Sequence, residues 1–594
     1  MLEALINYVD RGEPPESGYK PKDVRWAICC NEQGEFLEVI ELGDVSQKTN
    51  RGQEFTKCPD FSFSEMKAQG ITKSHFLVET AEVVTLHSKN PEDRKTHEKH
   101  SYFFSMLKEA GMVMPELQAI AAKMANHDVL AGIREKLAEL KAKPTDKVTL
   151  RIGSKFPLES SLWHSWWQEW RSTLITAKSA TKDKNKSEPT NTVRCFITGE
   201  LIEPVRVSPK ISGLSDVGGM SAGDSLCSFK QESFCSYGFE QAYNAAVSES
   251  ATNAYRAALD ELIKKHGRRL AGAKVIHWFK KKDLPKDDDP LAWLVESEEQ
   301  QNRNAQQLAK ELLTAIKTGK RPDLTDNFFY ALTLSGASGR VMIRDWMEGQ
   351  FEELVTNIMN WFDDFAIAHR ASGGLAPNPK FMAVLGATVQ ELDNLNGPFV
   401  TKMWRTAVKN ELIPEYALAQ VLSRFKVDII EDTPVNHAAM GLMKAYHLRK
   451  ERKKGGETMV DDLKPYLNEA HPHSAYHCGR LMAVLADLQR AAMGDVGAGV
   501  VQRYFAAASS TPALVLGRLT RNSQAHLNKL TGGRAYRYEE KIAAIWGRIK
   551  DSLPKTLTLE EQSLFALGYY QQMADMRKKT SENTNKEKEE GKNE

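Results

Sequence analysis

The spacing of apolar positions changes style part-way along the chain. Up to about residue 295, short apolar runs alternate with Gly, Pro, Asn and Ser punctuation, as in strands and turns. Beyond it, apolar residues recur every three or four positions, as in helices. Met1–Asp10 reads as a short amphipathic helix. Val24–Cys30 (VRWAICC) and Phe36–Ile40 flank an Asn31–Gly34 turn and predict a β-hairpin. Phe76–Leu86 reads as a strand, His97–Leu140 as helix with breaks near Gly111 and His127, and Val148–Ile152 as a strand. Ser160–Thr176 reads as a helix whose Trp163, Trp166, Trp167 and Trp170 form one stripe, read as core packing because base-stacking platforms rarely need so regular a face. Ser248–Lys265 is a predicted helix and Ala273–Phe279 a strand.

After Glu296 the pattern is helical apart from a strand-like return at Leu332–Trp346. Helices are expected over Phe351–His369, Pro398–Glu411, Ile413–Phe425 and Pro434–Arg452. From Met459 to Met576, short loops join helices at Cys478–Met493, Gly497–Ala508, Thr511–Lys529, Tyr536–Ile549 and Leu559–Met576, which predicts a bundle. The expected fold class is an α+β N-terminal region followed by an all-α C-terminal part. Its expected divisions are an α+β domain over 1–295, a helical middle over 296–452, a bundle over 459–576 and a Lys/Glu/Asn-rich disordered tail over 577–594.

One stretch stands apart and reads as strands and loops. Cys195–Glu249 interleaves apolar runs (Cys195–Thr198, Val205–Val207) with Gly213, Gly218, Gly219 and Gly223, shouldered by Lys210 and Lys230. Such a loop is either an ordinary mobile surface loop or one that brings backbone N–H groups close to phosphate. The lysine-rich Lys178–Thr190 is expected to be a linker or tip that can lie along a phosphate backbone.

Composition sets limits. The 594 residues carry 80 Lys and Arg against 78 Asp and Glu, so a polycation coating nucleic acid everywhere is excluded, whereas a local basic channel is not. Residues 471–577 hold 13 Lys and Arg against 8 Asp and Glu. There, Arg503, Arg518, Arg521, Lys529, Arg534 and Arg537, interleaved with Asn522, Asn528, Tyr536 and Tyr538, can either track a single strand or form a solvated face. No apolar run can span a bilayer, and Met1–Asp10 is too short and polar for a signal peptide. Seven scattered cysteines without a C-x-x-C pair point to reduced thiols, a cytoplasmic setting and no zinc ribbon.

No enzyme site assembles, and no metal or cofactor is expected. A P-loop is absent, His127-Asp128 stands alone in a helical stretch, and His471, His473 and His477 read as a surface loop and first helical turn rather than metal ligands. Gly494-x-x-Gly497-x-Gly499 follows a helix, not a strand, so it is no dinucleotide fingerprint.

The order CFITGE, then S-P-K-I-S-G, then CSFKQESFCSYGFEQAYNAAVSE resembles the large subunit of the type I-C CRISPR Cascade, an RNA-guided surveillance complex of antiviral defence. Thr198, Gly199, Ser228, Phe229, Ser236, Tyr237, Gly238, Gln241, Asn244, Val247 and Ser248 match that pattern; Ser208, Ser212 and Lys230 depart from it, as does Glu79-Thr80. The M-L-x-A-L-x-x-Y opening, Arg340, Arg344 and Trp346, and the segments RYFAAAS and LGYYQQM extend the resemblance over most of the chain.

The resemblance implies a non-catalytic ribonucleoprotein subunit. Its partners would be CRISPR RNA, target double-stranded DNA, Cascade backbone and guide-processing subunits, small-subunit copies and a separate helicase–nuclease, with no membrane. Guide pairing would read the sequence, while this chain reads the protospacer-adjacent motif and stabilises the R-loop. Expected contacts to the flanking duplex are Lys73, Ser74, Lys210, Ser228, Lys230, Gln231, Ser236 and Asn244; the bundle's basic residues would meet the displaced strand. Lys454-Gly455-Gly456-Glu457-Thr458 before Met459 can be encoded by a ribosome-binding purine run, making Met459 a candidate internal start for a small subunit, with Met482 second. Two other classes stay open: a metal-dependent nuclease using His127, Asp128 or the His471–His477 cluster, and a general single-strand-binding scaffold.

Overall fold

The computed structural model describes residues 1–9, 16–44, 46, 50–61, 63–66, 70–88, 90, 92–180, 192–205, 207–229, 231–235, 241–281, 283–295, 305–455, 462–494, 496 and 499–590. The chain divides into two compact units. The first comprises Met1–Lys265 with Gly336–Met342, and the second His266–Ser335 with Ile343–Glu594.

In the first unit the strands are β1 (Tyr19–Val24), β2 (Trp26–Cys30), β3 (Phe36–Glu41), β4 (Gln53–Pro59), β5 (Glu79–Thr80), β6 (Lys147–Ile152), β7 (Val193–Arg194), β8 (Leu201–Ile202), β9 (Lys210–Ile211) and β10 (Asp224–Ser225). One sheet runs β3-β2-β6-β5, with β2 antiparallel to β3 and parallel to β6. All five residues of WAICC are buried, which is why this strand reads as a continuous apolar run rather than an alternation. The expected hairpin is there. Helices Arg94–Ala110, Pro115–Met124 and His127–Glu139 lie between the edge strand β5 and β6 in the chain, broken where expected, and Asp93 and Asn126 cap two of them through side-chain oxygens.

The tryptophan stripe is core. Trp163 and Trp167 are fully buried, Trp166 and Trp170 pack on the same core, and Phe76 lies 5.1–5.8 Å from three of the rings. Trp167 donates to Gly18 O at 2.9 Å and Trp163 to Pro157 O at 3.0 Å, so the indole N–H groups are satisfied inside. Phe76–Leu86 is not one strand: only Glu79–Thr80 pairs, and Ala81–Thr85 turns into a helix whose Ala81, Val83 and Val84 are buried. A run this apolar fits a buried helical turn as well as a strand.

The second unit carries β11 (Arg268–Leu270), β12 (Ala273–Phe279) and, apart from their shared tip over 336–342, which belongs to the first unit, β13 (Phe328–Ala337) and β14 (Arg340–Gln350), neighbours in that order. Its helices include Phe351–Phe365, Gly397–Val408, Glu415–Ile430, His437–Lys454, Ser474–Met493, Val500–Ser510, Pro512–Leu527, Gly533–Ile549 and Leu559–Glu590. Residues of the expected middle region and of the expected bundle share one core, from Leu270 to Met576. Phe425 meets Phe505 at 5.4 Å, His447 Nε2 meets Ser563 Oγ at 2.7 Å, and Tyr446 donates to Glu560 at 3.0 Å, so contacts cross the expected boundary. The last helix runs to Glu590, through most of the stretch expected to be a disordered tail; its Lys and Glu residues are good helix formers.

Two helices of this unit approach to backbone distance. A Cβ on Gly479 of Ser474–Met493 would lie 1.9 Å from Phe565 O, and one on Gly568 of Leu559–Glu590 would lie 2.0 Å from Tyr476 O. The glycines thus sit reciprocally, each over the other helix's backbone. Tyr476 donates to Gln571 at 2.5 Å and Arg480 to Gln572 at 2.9 Å along the same seam.

Candidate nucleic-acid interface

CFITGE is not a strand but a tight turn between β7 and β8. Gly199 N–H donates to Cys195 O at 2.8 Å, and Phe196 N–H and Val205 N–H tie the turn to Ala246 O and Val247 O. Burial raises the Cys195 thiol, but the Thr198 hydroxyl and the N–H groups of Thr198, Ser248 and Ile197 outweigh it and bring it down to about 7. The turn fastens the head of the motif to its tail.

The glycine loop is not an open phosphate cradle. Gly219 N–H donates to Leu214 O, Gly223 N–H to Met220 O, and Met220 N–H to the buried Asp224 carboxylate at 3.2 Å. Those donors are spent inside the loop, and a carboxylate already occupies the place an anion would take. The glycines serve close approach instead: a Cβ on Gly219 would stand 2.3 Å from the Asp224 carboxylate, and one on Gly336 would stand 2.1 Å from Gly219 Cα. The loop is braced.

Its outer edge does carry charge. β9 pairs antiparallel with β10, placing Lys210 opposite Ser225, and Ser225 also pairs with Arg340 at the tip of the β13–β14 turn. Lys210 and Arg340 are exposed.

The remaining residues expected at a flanking duplex separate into three groups. Ser228, Gln231 and Asn244 are exposed, with Asn244 Nδ2 donating to Gln241 O at 3.1 Å. Lys230 and Ser236 lie outside the described residues, as do the candidate start Met459 and residues 181–190 of the lysine-rich stretch. Lys73 and Ser74 are buried, contrary to expectation: Lys73 Nζ lies 5.9 Å from the Tyr102 ring centre, and burial pushes its ammonium down. The polarity of that loop pointed to the surface, but its stem packs on the helix bearing Tyr102. Arg340 belongs to the motif pattern, but its place beside Lys210 follows only from strand pairing. The signal was the Ser338-Gly339 turn following an apolar strand, with an arginine as the first residue after it.

In the bundle, all six expected cations are exposed. Pro512–Leu527 buries Leu516, Leu519, Ser523 and Leu527 at helical spacing, which turns Arg518 and Arg521 outward. Gly533–Ile549 buries Ile542, Ile545 and Ile549 and leaves Arg534 and Arg537 outside, beside Tyr536 at 66% exposure. Asp487 is engaged by Arg490 and by Tyr538 Oη at 2.7 Å. A cavity of about 170 Å³ lined by Gln489, Tyr504, Asn522 and His526 sits among these helices, below the usual size for a small-molecule site.

The histidines have other employment. His471 is buried and stacks on Tyr476 at 4.3 Å, His477 Nε2 contacts His471 O at 2.6 Å, and His473 accepts from Ala475 N–H as a helix cap. His471 and His477 are therefore buried rather than on the surface, while His473 is partly exposed and His477 lies in the first turn of Ser474–Met493, as expected. His127 and Asp128 are exposed in the first turn of their helix. Among the described residues, no group of three or more His, Cys, Asp or Glu is placed to hold a metal ion.

A model of the CRISPR-associated protein family (Cas_Csd1) matches residues 4–577. The chain belongs to this family. No curated protein matches it. As a Cas_Csd1 member it is a CRISPR-associated protein, the large subunit of a Cascade-type multi-subunit complex. No described helix of this Cas_Csd1 protein is long and apolar enough to cross a membrane.

Proposed function

We propose that this chain is the non-catalytic large subunit of a type I-C surveillance complex, working in the cytoplasm with CRISPR RNA, backbone and guide-processing subunits and small-subunit copies. In this reading it recognises the protospacer-adjacent duplex, lets guide pairing open it, and holds the displaced strand until a separate helicase–nuclease is recruited. The observation that carries it is the exposed arginines of the helices over 500–549, in a chain of a CRISPR-associated family. Such a face binds phosphate without reading bases, as a displaced strand of any sequence demands. The seven cysteines are free thiols, as suits a reducing compartment.

The test is a gel shift of the assembled complex, with and without this chain, on matched duplexes that differ only in the flanking motif. Binding that needs both the chain and the correct motif supports the reading. Binding that survives without the chain, or that ignores the flank, refutes motif recognition.

A further inference from the structure

Three residues far apart in sequence are brought into one row. Lys210 of β9 and Arg340 of the hairpin tip flank Ser225 of β10 as its registered neighbours. Registered residues on adjacent strands point to the same face, with strands about 4.8 Å apart, so the two cations stand on one side with backbones about 10 Å apart. Ser225 N–H donates to Gly339 O at 2.9 Å and locks the tip in place. Asp224, the neighbour of Ser225, points the other way; its carboxylate is fully buried and accepts from Met220 N–H. Among the described residues, neither Lys210 nor Arg340 has an ion-pair partner, and the half-exposed Met220 lies against Gly339 beside them.

We propose that the Lys210–Ser225–Arg340 row is a clamp for the sugar–phosphate backbone of a nucleic-acid strand, a site that adds Arg340 and Ser225 to the interface and rests on the function proposed above. Two outward cations with a hydroxyl between them, unpaired among the described residues and with the Asp224 carboxylate turned away, match a polyanion. Phosphates of one strand advance about 3.4 Å each along the duplex axis and lie farther apart along the strand itself, so the two ends of a row of about 10 Å can meet two different phosphates of the same strand. Met220 supplies an apolar flank for a sugar. The rigid floor of the row fixes its geometry before a strand arrives.

The test uses the full chain and a short labelled duplex, titrated across salt by fluorescence anisotropy, with Lys210→Ala, Arg340→Ala, the double variant and Arg340→Lys. Each contact removed should lower the slope of log affinity against log salt by about 0.9, so the double variant should lose about 12-fold of the affinity change between about 50 and 200 mM salt. Arg340→Lys should keep the wild-type slope. Unchanged circular dichroism in the double variant shows that the fold is intact; a double variant that loses it is replaced by Lys210→Gln with Arg340→Gln. A wild-type slope in the folded double variant overturns the clamp while leaving the proposed function standing. Wild-type chain without salt-dependent duplex binding overturns both. Displacement of the duplex by polyglutamate of equal charge overturns the clamp in favour of an acidic protein surface.

Discussion

Replacing Gly479 with Ala should destabilise the second unit, although alanine is the better helix former. A methyl group at that position would stand 1.9 Å from Phe565 O, whereas ordinary contact begins at 3.4 Å, so the Ser474–Met493 and Leu559–Glu590 helices must part locally by roughly 1.5 Å. Overpacking of this kind costs about 1–3 kcal/mol. Separation also weakens the Tyr476–Gln571 and Arg480–Gln572 hydrogen bonds, about 1 kcal/mol each. The gain in helix propensity returns about 1 kcal/mol. The net expectation is a loss of about 2–4 kcal/mol, with the same for Gly568→Ala. Gly517 and Gly547 are the controls. They are exposed helical positions with nothing within 4 Å of a Cβ, so Ala there should stabilise by up to about 1 kcal/mol. Urea midpoints, with hydrogen exchange across residues 474–493, read the difference. A shift of the same sign for Gly479→Ala and Gly517→Ala would refute the close-approach argument.

Asp364 is fully buried between Arg449 (2.8 Å) and Arg452 (2.5 Å). Asp364→Asn strands the buried Arg449 and should cost about 3–5 kcal/mol in urea unfolding, against a small effect for Arg452→Gln. Burial pushes His447 and His477 down to about 4 and His471 to about 3, so these rings fold neutral. Their folded values lie below the ordinary 6.5, so the stability they hold is complete above about pH 6.5 and is lost as pH falls towards 4. Thermal unfolding from pH 7 to 4.5 should therefore drop steeply, and less so in His477→Gln; a flat profile would show that the rings are accessible. Arg518→Glu with Arg521→Glu should weaken single-strand binding by the assembled complex and lower its salt slope by about 0.7 per contact, without changing the helical circular dichroism. An unchanged slope would move the displaced strand elsewhere.

The helices were legible because their apolar spacing reports burial directly. Leu516, Leu519, Ser523 and Leu527 face inward, and that alone turns Arg518 and Arg521 out. The tryptophan stripe was readable for the same reason. The region around Cys195 was not, because a two- or three-residue apolar run fits a strand or a fastened turn equally well, and the choice rests on Ala246 and Val247, about fifty residues on. Lys73 and Ser74 were misplaced because polarity marks solubility, not depth. The boundary near residue 455 looked like a linker by composition, yet Phe425, Tyr446 and His447 pack onto helices beyond it. Arg340 gained its neighbours only through strand pairing between residues more than a hundred apart, which no local pattern records.

The braced glycine loop bears on time as well as affinity. A complex that searches a long molecule for one short motif spends nearly all its encounters on the wrong sequence and must release each quickly. A loop that ordered itself around every duplex would slow each trial by its own folding. Here Leu214 O, Met220 O and Asp224 already hold the N–H groups of Gly219, Gly223 and Met220, so the floor beneath Lys210 and Arg340 has nothing left to arrange. Under the proposed clamp, each visit lasts only as long as the charges hold, and the pace of the search follows salt more than any rearrangement of this loop.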